Sequence, residues 1–244
     1  MIRLAAVADV HLGAGSAGTV RPALAGLPEH ADVLLVAGDL TETGTPTEAR
    51  VAAEELRDLG VPVVAVLGNH DHHAGAVEEV REILRTAGLA VLEGEGIVLD
   101  VAGVRLGVAG VKGFGGGFRG ASAAEFGEPE MKAFVRHAKE RATALRAALA
   151  DLPATDVRVA LTHYAPTADT LRGEARELYP FLGSHRLGDA VDTAGANLVV
   201  HGHAHAGTET GATRGGIPVR NVAVPVLRAP YTVLTLDAST GALS

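Results

Sequence analysis

Five short apolar runs, each ending in polar residues, constrain the fold of this 244-residue chain more than any other feature. Their positions are 2–9, 31–39, 61–69, 157–163 and 196–203. Each is rich in Val and Leu, which is typical of a strand buried on both faces. Segments 45–60 and 76–89 lie between such runs and repeat apolar residues at helical spacing, the first after capping-type Thr residues. This strand–helix–strand order predicts a mostly parallel α/β sheet.

Two further stretches, 96–111 and 217–237, have the pattern of successive strands joined by turns. They predict a second, more antiparallel sheet. Between them, a Gly-rich loop at 113–120 precedes a long Ala-rich amphipathic helix, and we expect the segment at about 112–150 to cover part of any site nearby. No repeat, low-complexity tail or linker marks a boundary, so the sequence predicts one domain over residues 1–244.

Composition excludes several classes of site and partner. The chain has 47% hydrophobic but only 3% aromatic residues, so its core must be aliphatic. It has no Cys, which excludes disulfides, thiolate metal sites and cysteine nucleophiles. A net charge of −8 opposes a broad nucleic-acid-binding face. No apolar run approaches the roughly 20 residues of a membrane span, and the N-terminus lacks the features of a signal peptide. We therefore expect a cytoplasmic protein without membrane contact.

Side chains of types that can bind a metal end or directly follow all five apolar runs. In chain order they are Asp9 and His11, Asp39, Asn69 and His70, His163, and His203 and His205. Ligands of open α/β sheets gather at the carboxyl ends of the strands, so these side chains are expected to meet. The pairs at 9 and 11 and at 203 and 205 would point to one side if the chain stays extended there. Carboxylate and imidazole ligands without sulfur suit Mn, Fe or Zn.

The ordered blocks DVH, GDL, GNHD, TH and HGHAH resemble the five signature blocks of the calcineurin-like metallophosphoesterases, and the match spans Asp9 to His205. The resemblance implies an α/β fold of four layers, α/β/β/α, in which two mixed sheets pack face to face with helices outside. It also implies two metal ions bridged by Asp39. The first metal would take Asp9, His11, Asp39 and His205, and the second would take Asp39, Asn69, His163 and His203.

The resemblance, supported by this ligand set, implies a phosphohydrolase that acts on a small phosphorylated substrate, either a phosphomonoester or a phosphodiester. Two divalent transition-metal ions, Mn in the first place and Fe or Zn as alternatives, would acidify a bridging water to the attacking hydroxide. His70 adjoins a ligand but remains free, so we expect it to protonate the leaving group as general acid. A cyclic-nucleotide phosphodiesterase, a nuclease of the same fold and a non-enzymatic metal-binding scaffold are the alternatives.

Four further residues are candidates for supporting roles. Glu42 and Thr43 stand where the protein-phosphatase branch has Asp and Arg, which disfavours a Ser/Thr protein phosphatase; Glu42 either orients His70 or lies at the surface. Lys112 and Arg119 either meet a phosphate or belong to a surface loop. His201 is expected to be buried behind the ligands. Asp71 is expected to cap the following turn, and His72 and His73 to lie at the rim of the site.

Overall fold

The computed structural model describes residues 1–243, within which thirteen strands are formed. In chain order they are β1 (Ile2–Val7), β2 (Val33–Ala37), β3 (Val63–Val66), β4 (Ala90–Leu92), β5 (Glu95–Val101), β6 (Val104–Val111), β7 (Gly117–Phe118), β8 (Ala121–Ser122), β9 (Val157–Thr162), β10 (Leu198–His201), β11 (Thr210–Ala212), β12 (Pro218–Asn221) and β13 (Thr232–Leu236).

The same residues form eight α-helices and three short 3₁₀ turns. The helices are α1 (Arg21–Leu24), α2 (Leu27–His30), α3 (Pro46–Leu56), α4 (Val77–Thr86), α5 (Pro129–Ala150), α6 (Tyr179–Leu182), α7 (His185–Ala194) and α8 (Val224–Leu227), and the 3₁₀ turns are His70–His72, Asp169–Leu171 and Arg176–Leu178. Thr45 and Glu48 form a capping box at the start of α3, as the Thr residues of this segment predicted.

The strands form two mixed sheets and a small hairpin. The first sheet has the order β13-β1-β2-β3-β4, the second has the order β11-β12-β10-β9-β6-β5, and β7 pairs with β8. Strands β1 to β4 are parallel, with β13 antiparallel at the edge beside β1. In the second sheet β6, β9, β10 and β12 are parallel. The prediction that all five apolar runs share one sheet is therefore wrong, because the fourth and fifth runs, β9 and β10, belong to the second sheet.

The two sheets pack face to face around an aliphatic core. Side chains alternate along β1: Ile2, Leu4 and Ala6 face the core between the sheets, whereas Ala5 and Val7 face the outer side of the first sheet, where α2 packs against β1. Helices α5 and α7 cover the outer face of the second sheet through Leu145, Leu187 and their neighbours. The four-layer sandwich of two mixed sheets flanked by helices is confirmed. One domain over residues 1–244 remains a prediction.

Residues 217–237 depart from the expected run of strands. β12 and β13 do form, but they belong to different sheets, and Val224–Leu227 between them is the short helix α8. Pro225 stands in the first turn of this helix, where its missing N–H costs no hydrogen bond. The apolar pattern did not indicate this helix, because four residues are too few to show a helical period.

The segment after β6 is held against α6 and the residue that follows it. Its glycines are held by backbone hydrogen bonds, from the Gly116 N–H to the Pro180 carbonyl at 2.6 Å and from the Gly117 N–H to the Gly183 carbonyl at 2.9 Å. α5 then packs against α7 and the second sheet. Within residues 1–243, no helix combines the length and apolar character that crossing a membrane requires.

The difference in burial predicts that side chains in the core between the sheets contribute more to stability than side chains on the edge strands. Val200 on β10 is completely buried in the inter-sheet core, whereas Val233 on the edge strand β13 is 39% exposed. Val200→Ala should lower the free energy of unfolding by about 2 kcal/mol, from lost burial and the cavity left behind. The matched control Val233→Ala should cost clearly less. Denaturant unfolding of both variants checks this, and equal losses would contradict it.

Candidate metal centre

The predicted ligands follow strand ends from both sheets and meet at one edge of the sandwich. Their approach depends on backbone turns: φ is 60° at Asp9, 45° at His11, 52° at Asp39 and 68° at His203. These left-handed conformations are uncommon for residues other than Gly. The expectation that Asp9–His11 and His203–His205 converge through extended chain is therefore wrong. Sharp turns bring them together, and such local strain is concentrated at functional sites.

Asp9, His11 and His205 form the first group of donor atoms. One atom of each lies within 4.8 Å of the others. The Asp9 carboxylate lies 2.9 Å from Nε2 of His205 and also accepts the backbone N–H of His203 at 2.9 Å. The hydrogen bond to Asp9 raises the pKa of His205. The end of β1 is thereby joined directly to the loop that follows β10.

Asp39, His163 and His203 form the second group. Nε2 of His163 lies 3.4 Å from the Asp39 carboxylate and 2.9 Å from Oδ1 of Asn69. Nε2 of His203 lies 3.3 Å from the Phe181 carbonyl, to which an N–H there would donate. This leaves Nδ1 of His203 free as a donor atom, the arrangement typical of metal-ligating histidines. Burial lowers the pKa of His203 to about 3, so the ring is neutral.

Asp39 lies between the two groups. Its carboxylate is 3.8 Å from Nε2 of His11 on one side and 3.4 Å from Nε2 of His163 on the other. Burial would raise the pKa of Asp39, but the charge and hydrogen bond of His163 and the backbone N–H of His70 outweigh it and hold the pKa well below the usual range. The carboxylate is therefore ionised and available to cations on both sides.

The contacts of His163 test whether this site suits a metal ion. The ring is completely buried, and Nδ1 lies 2.9 Å from the Ala37 carbonyl, which can only accept. Nδ1 therefore carries a proton, and Nε2 faces oxygens of Asn69 and Asp39. A neutral ring would place three lone pairs together unless a cation lies among them. Burial alone would lower the pKa of His163, but Asp39 raises it to about 9. A proton thus occupies a position whose ligand atoms fit a metal ion.

Three glycines leave the space that the ligands need. An added Cβ would lie 2.0 Å from Oδ1 of Asp39 at Gly68, 2.4 Å from Oδ2 of Asp9 at Gly202, and 2.5 Å from Nδ1 of His163 at Gly38. All three distances are far below van der Waals contact. Gly38 in addition has φ of 89°. The glycines of the GDL, GNHD and HGHAH blocks are therefore each required by a ligand of another loop.

His70 lies beside this cluster and has a fixed orientation. Its Nδ1 lies 2.7 Å from the Glu42 carbonyl, so Nδ1 is the donor and Nε2 faces inward, 4.0 Å from the Asp39 carboxylate. Glu42 thus contacts His70, but through its backbone carbonyl, while its side chain is exposed. The donor atoms of His11, Asp39 and His70 also lie within 4.8 Å of one another.

The other candidates have different surroundings. Arg119 is exposed and donates to both carboxylate oxygens of Asp189, at 2.8 and 2.9 Å, so the structure does not bring it to the ligand cluster. His201 is completely buried, with Nδ1 2.8 Å from the Gly202 carbonyl and Nε2 2.8 Å from the Thr170 hydroxyl. Burial lowers its pKa to about 4. Lys112 is buried beside Tyr164, whose ring is 4.4 Å from that of His203.

Asp71 has a role that sequence reasoning missed. It does not cap a following turn. Its completely buried carboxylate accepts the backbone N–H groups of Leu40, Thr41 and Gly68, at 3.3, 2.8 and 2.8 Å, and the Thr41 hydroxyl at 2.6 Å. It therefore joins the loop that carries Asp39 to the loop that carries Asn69. An acidic residue directly after Asn69 and His70 was the available signal.

Replacing Asp71 should loosen both loops at once. Asp71→Asn turns an amide donor toward backbone donors, and we expect it to lower the free energy of unfolding by about 1–3 kcal/mol. Metal affinity should fall as well, because Asp39 and Asn69 lose their common support. Chelator-treated protein unfolded in denaturant gives the first quantity and metal titration the second. Asp100→Asn, at a carboxylate whose side chain is 80% exposed, is the matched control. Unchanged metal affinity in Asp71→Asn would contradict the assignment.

Solved structures with a similar fold cover nearly the whole chain. The phosphopantetheinyl hydrolase of Mycobacterium tuberculosis has a TM-score of 0.68 and 19% identity, over 92% of this chain and 90% of that one. A Thermus thermophilus protein has a TM-score of 0.59 and 19% identity, over 100% of this chain and 97% of that one. At these identities the likeness concerns the fold alone.

A curated relative and a family model extend the likeness to sequence. The glycerophosphodiester phosphodiesterase of Enterobacter lignolyticus (strain SCF1) is 35% identical over 79 residues, which are 32% of this chain. The matched part spans only 28% of that relative's length. The model of the calcineurin-like phosphoesterases, a family of dinuclear metal enzymes, matches residues 2–207, which include every candidate ligand. The chain therefore belongs to the calcineurin-like phosphoesterase family.

Proposed function

We propose that the protein is a metal-dependent phosphoester hydrolase with two metal ions held by Asp9, His11, Asp39, Asn69, His163, His203 and His205. The observation that carries the proposal is the convergence of two donor groups, each within 4.8 Å, on either side of the Asp39 carboxylate. Side chains from five separate strand ends meet there. A scaffold without catalysis would not require this set to be complete.

The ligands favour borderline divalent metals. Imidazole nitrogens, carboxylate oxygens and one amide oxygen suit Mn, Fe or Zn, and we propose Mn as the first metal to test. When bound, two such ions would neutralise phosphoryl oxygens and lower the pKa of water. Asp39 would contribute to both metal sites, and Asn69 could contribute only its neutral amide oxygen. The ions would also leave the site positive for an anionic substrate, despite the negative net charge of the chain.

The family and the curated relative support the proposed substrate class, a phosphoester. Phosphomonoesters and phosphodiesters both fit a site of this charge, and the relative named as a phosphodiesterase favours a phosphodiester. Within that class, cyclic nucleotides remain a specific alternative. A small substrate is preferred over nucleic acid because the chain has 29 acidic against 21 basic residues.

His70 is proposed to protonate the leaving group. The Glu42 carbonyl holds the proton on Nδ1 and directs Nε2 toward the ligands, 4.0 Å from Asp39. A second proton on Nε2 would therefore lie on the substrate side of the ring. Transfer of that proton to a departing alkoxide is the step assigned to His70.

Both the metal content of the protein and its activity should depend on Asp39. Protein reconstituted with Mn²⁺ should bind about two ions per chain, hydrolyse bis(p-nitrophenyl) phosphate or p-nitrophenyl phosphate, and lose this activity to a strong chelator. Asp39→Asn should lower occupancy at both sites. Asp58→Asn is the matched control, because Asp58 is exposed and has a φ of 53°, close to the 52° of Asp39. Elemental analysis and rate assays check this. Full metal binding without turnover of any phosphoester in a broad panel would favour the scaffold.

His70→Ala should lower turnover by about 10²–10⁴-fold on substrates with an alkoxide leaving group while both metals remain bound. The loss should be much smaller on nitrophenyl esters, since nitrophenolate departs without a proton. The difference is measured from turnover rates at saturating Mn²⁺ on methyl phosphate and on p-nitrophenyl phosphate. His73→Ala, at the exposed neighbour whose ring is 4.4 Å from His70, is the control. Equal losses on both esters would remove His70 as general acid, and loss of metal would make it a ligand.

A further inference from the structure

Lys112 is a buried cation that the ligand set does not use. Only 7% of the residue is exposed. Its ammonium group lies 5.2 Å from the centre of the Phe114 ring and 5.3 Å from that of Tyr164. Among residues 1–243, no hydrogen bond or ion pair to Nζ accompanies these ring contacts. Lysine is seldom buried without a partner, because losing hydration of the ammonium group is costly.

The backbone fixes Lys112 beside the metal centre. Its carbonyl accepts the N–H groups of His163, at 3.0 Å, and Tyr164, at 3.1 Å. The Tyr164 ring in turn lies 4.4 Å from the His203 ring and 5.6 Å from the His163 ring. The ammonium therefore shares an aromatic neighbour with two ligands of the second donor group.

Glu93, the acidic residue that contacts the backbone of Lys112, is already engaged. Glu93 accepts the backbone N–H of Lys112 on one carboxylate oxygen and the Arg141 guanidinium on the other, both at 3.0 Å. Its charge is therefore shared with Arg141, and its contact with Lys112 is through the backbone. The Lys112 ammonium remains without a contacting carboxylate.

Bound metal ions would make the uncompensated charge of the Lys112 ammonium more unfavourable. Two divalent ions on the neighbouring ligands would repel the Lys112 ammonium across a weakly screened interior. An anion next to Lys112 reverses the sign of that interaction. The negative charge of a phosphoryl group at the metals would compensate the metal ions. A further negative group would therefore be needed to compensate the unpaired Lys112 ammonium.

We propose that Lys112 forms an anion-binding subsite beside the metal centre, which holds a carboxylate or phosphate on the leaving-group part of the substrate. Phe114 and Tyr164 would form its wall. The substrate class is then a phosphoester with a second oxyanion at a distance from the bond that is cleaved. This inference rests on the proposed function, since the metal centre must hold the ester itself.

Non-hydrolysable phosphonates test the subsite by binding alone. The probes are phosphonoacetate, 3-phosphonopropionate and 4-phosphonobutyrate, compared with ethyl-, propyl- and butylphosphonate, by calorimetry on Mn²⁺-loaded protein. At least one carboxylated probe should bind ten-fold or more tightly than its uncharged-tail counterpart. Lys112→Met should remove this preference and leave the affinity for alkylphosphonates unchanged. Lys112→Arg should keep much of the preference, and Lys132→Met, at an exposed lysine, should keep all of it.

Each outcome separates the subsite from the metal centre. Alkylphosphonates that bind without any preference for the carboxylated probes would overturn the subsite and leave the proposed function intact. Equal weakening of both probe series by Lys112→Met would place Lys112 on the phosphoryl group and also overturn it. If no phosphonate binds to metal-loaded protein, the proposed function itself fails. Elemental analysis of each variant confirms that the metals are retained.

Discussion

The buried charge of Asp39 is the interaction on which the rest of the site depends. A carboxylate that is only 1% exposed must be compensated by neighbours, because an isolated buried anion is strongly unfavourable. The His70 N–H and the His163 ring supply part of this compensation, at 2.8 and 3.4 Å. Metal cations would supply more. The backbone must therefore bring loops from both sheets within a few ångströms of one carboxylate, and the fold is arranged around that requirement.

Two kinds of support hold the loops in this position. This support is needed because left-handed φ angles at four candidate ligand residues cost energy, and surrounding contacts must hold these residues in place. The aliphatic core between the sheets supplies rigidity from behind, and Asp71 joins two loops through four hydrogen bonds within the site. Glycines at 38, 68 and 202 remove the side-chain atoms that would prevent close approach. Stability of the sandwich and geometry of the ligands are thus linked through the same strand ends.

The sequence was sufficient to predict the five strands that precede the candidate ligands and the residues at their ends, because apolar runs and polar strand ends are local features. It could not assign β9 and β10 to their sheet, since a strand buried on both faces carries no mark of its partner. The helix Val224–Leu227 was too short to show a period. The roles of Asp71 and of the Glu42 carbonyl depend on backbone groups of other loops, and a main-chain acceptor has no signature in the sequence. The left-handed turns at Asp9 and His11 were missed because non-Gly residues seldom adopt them.

Substrate selection requires features that the metal ligands do not provide, because a phosphoryl group is common to every phosphoester. Five Phe and three Tyr are the aromatic residues of the chain, and all except Tyr231 lie between residues 114 and 181. Several form a connected set beside the second donor group, from Tyr164 through Phe114 and Phe134 to Phe181. Aliphatic side chains build the core, whereas the aromatic rings border one side of the site together with Lys112. Rings of this kind combine a large apolar surface with favourable contact to cations. The segment from β6 to α6 is therefore the part of the fold in which the proposed recognition of the leaving group would be built, while the strand-end loops carry the candidate metal ligands.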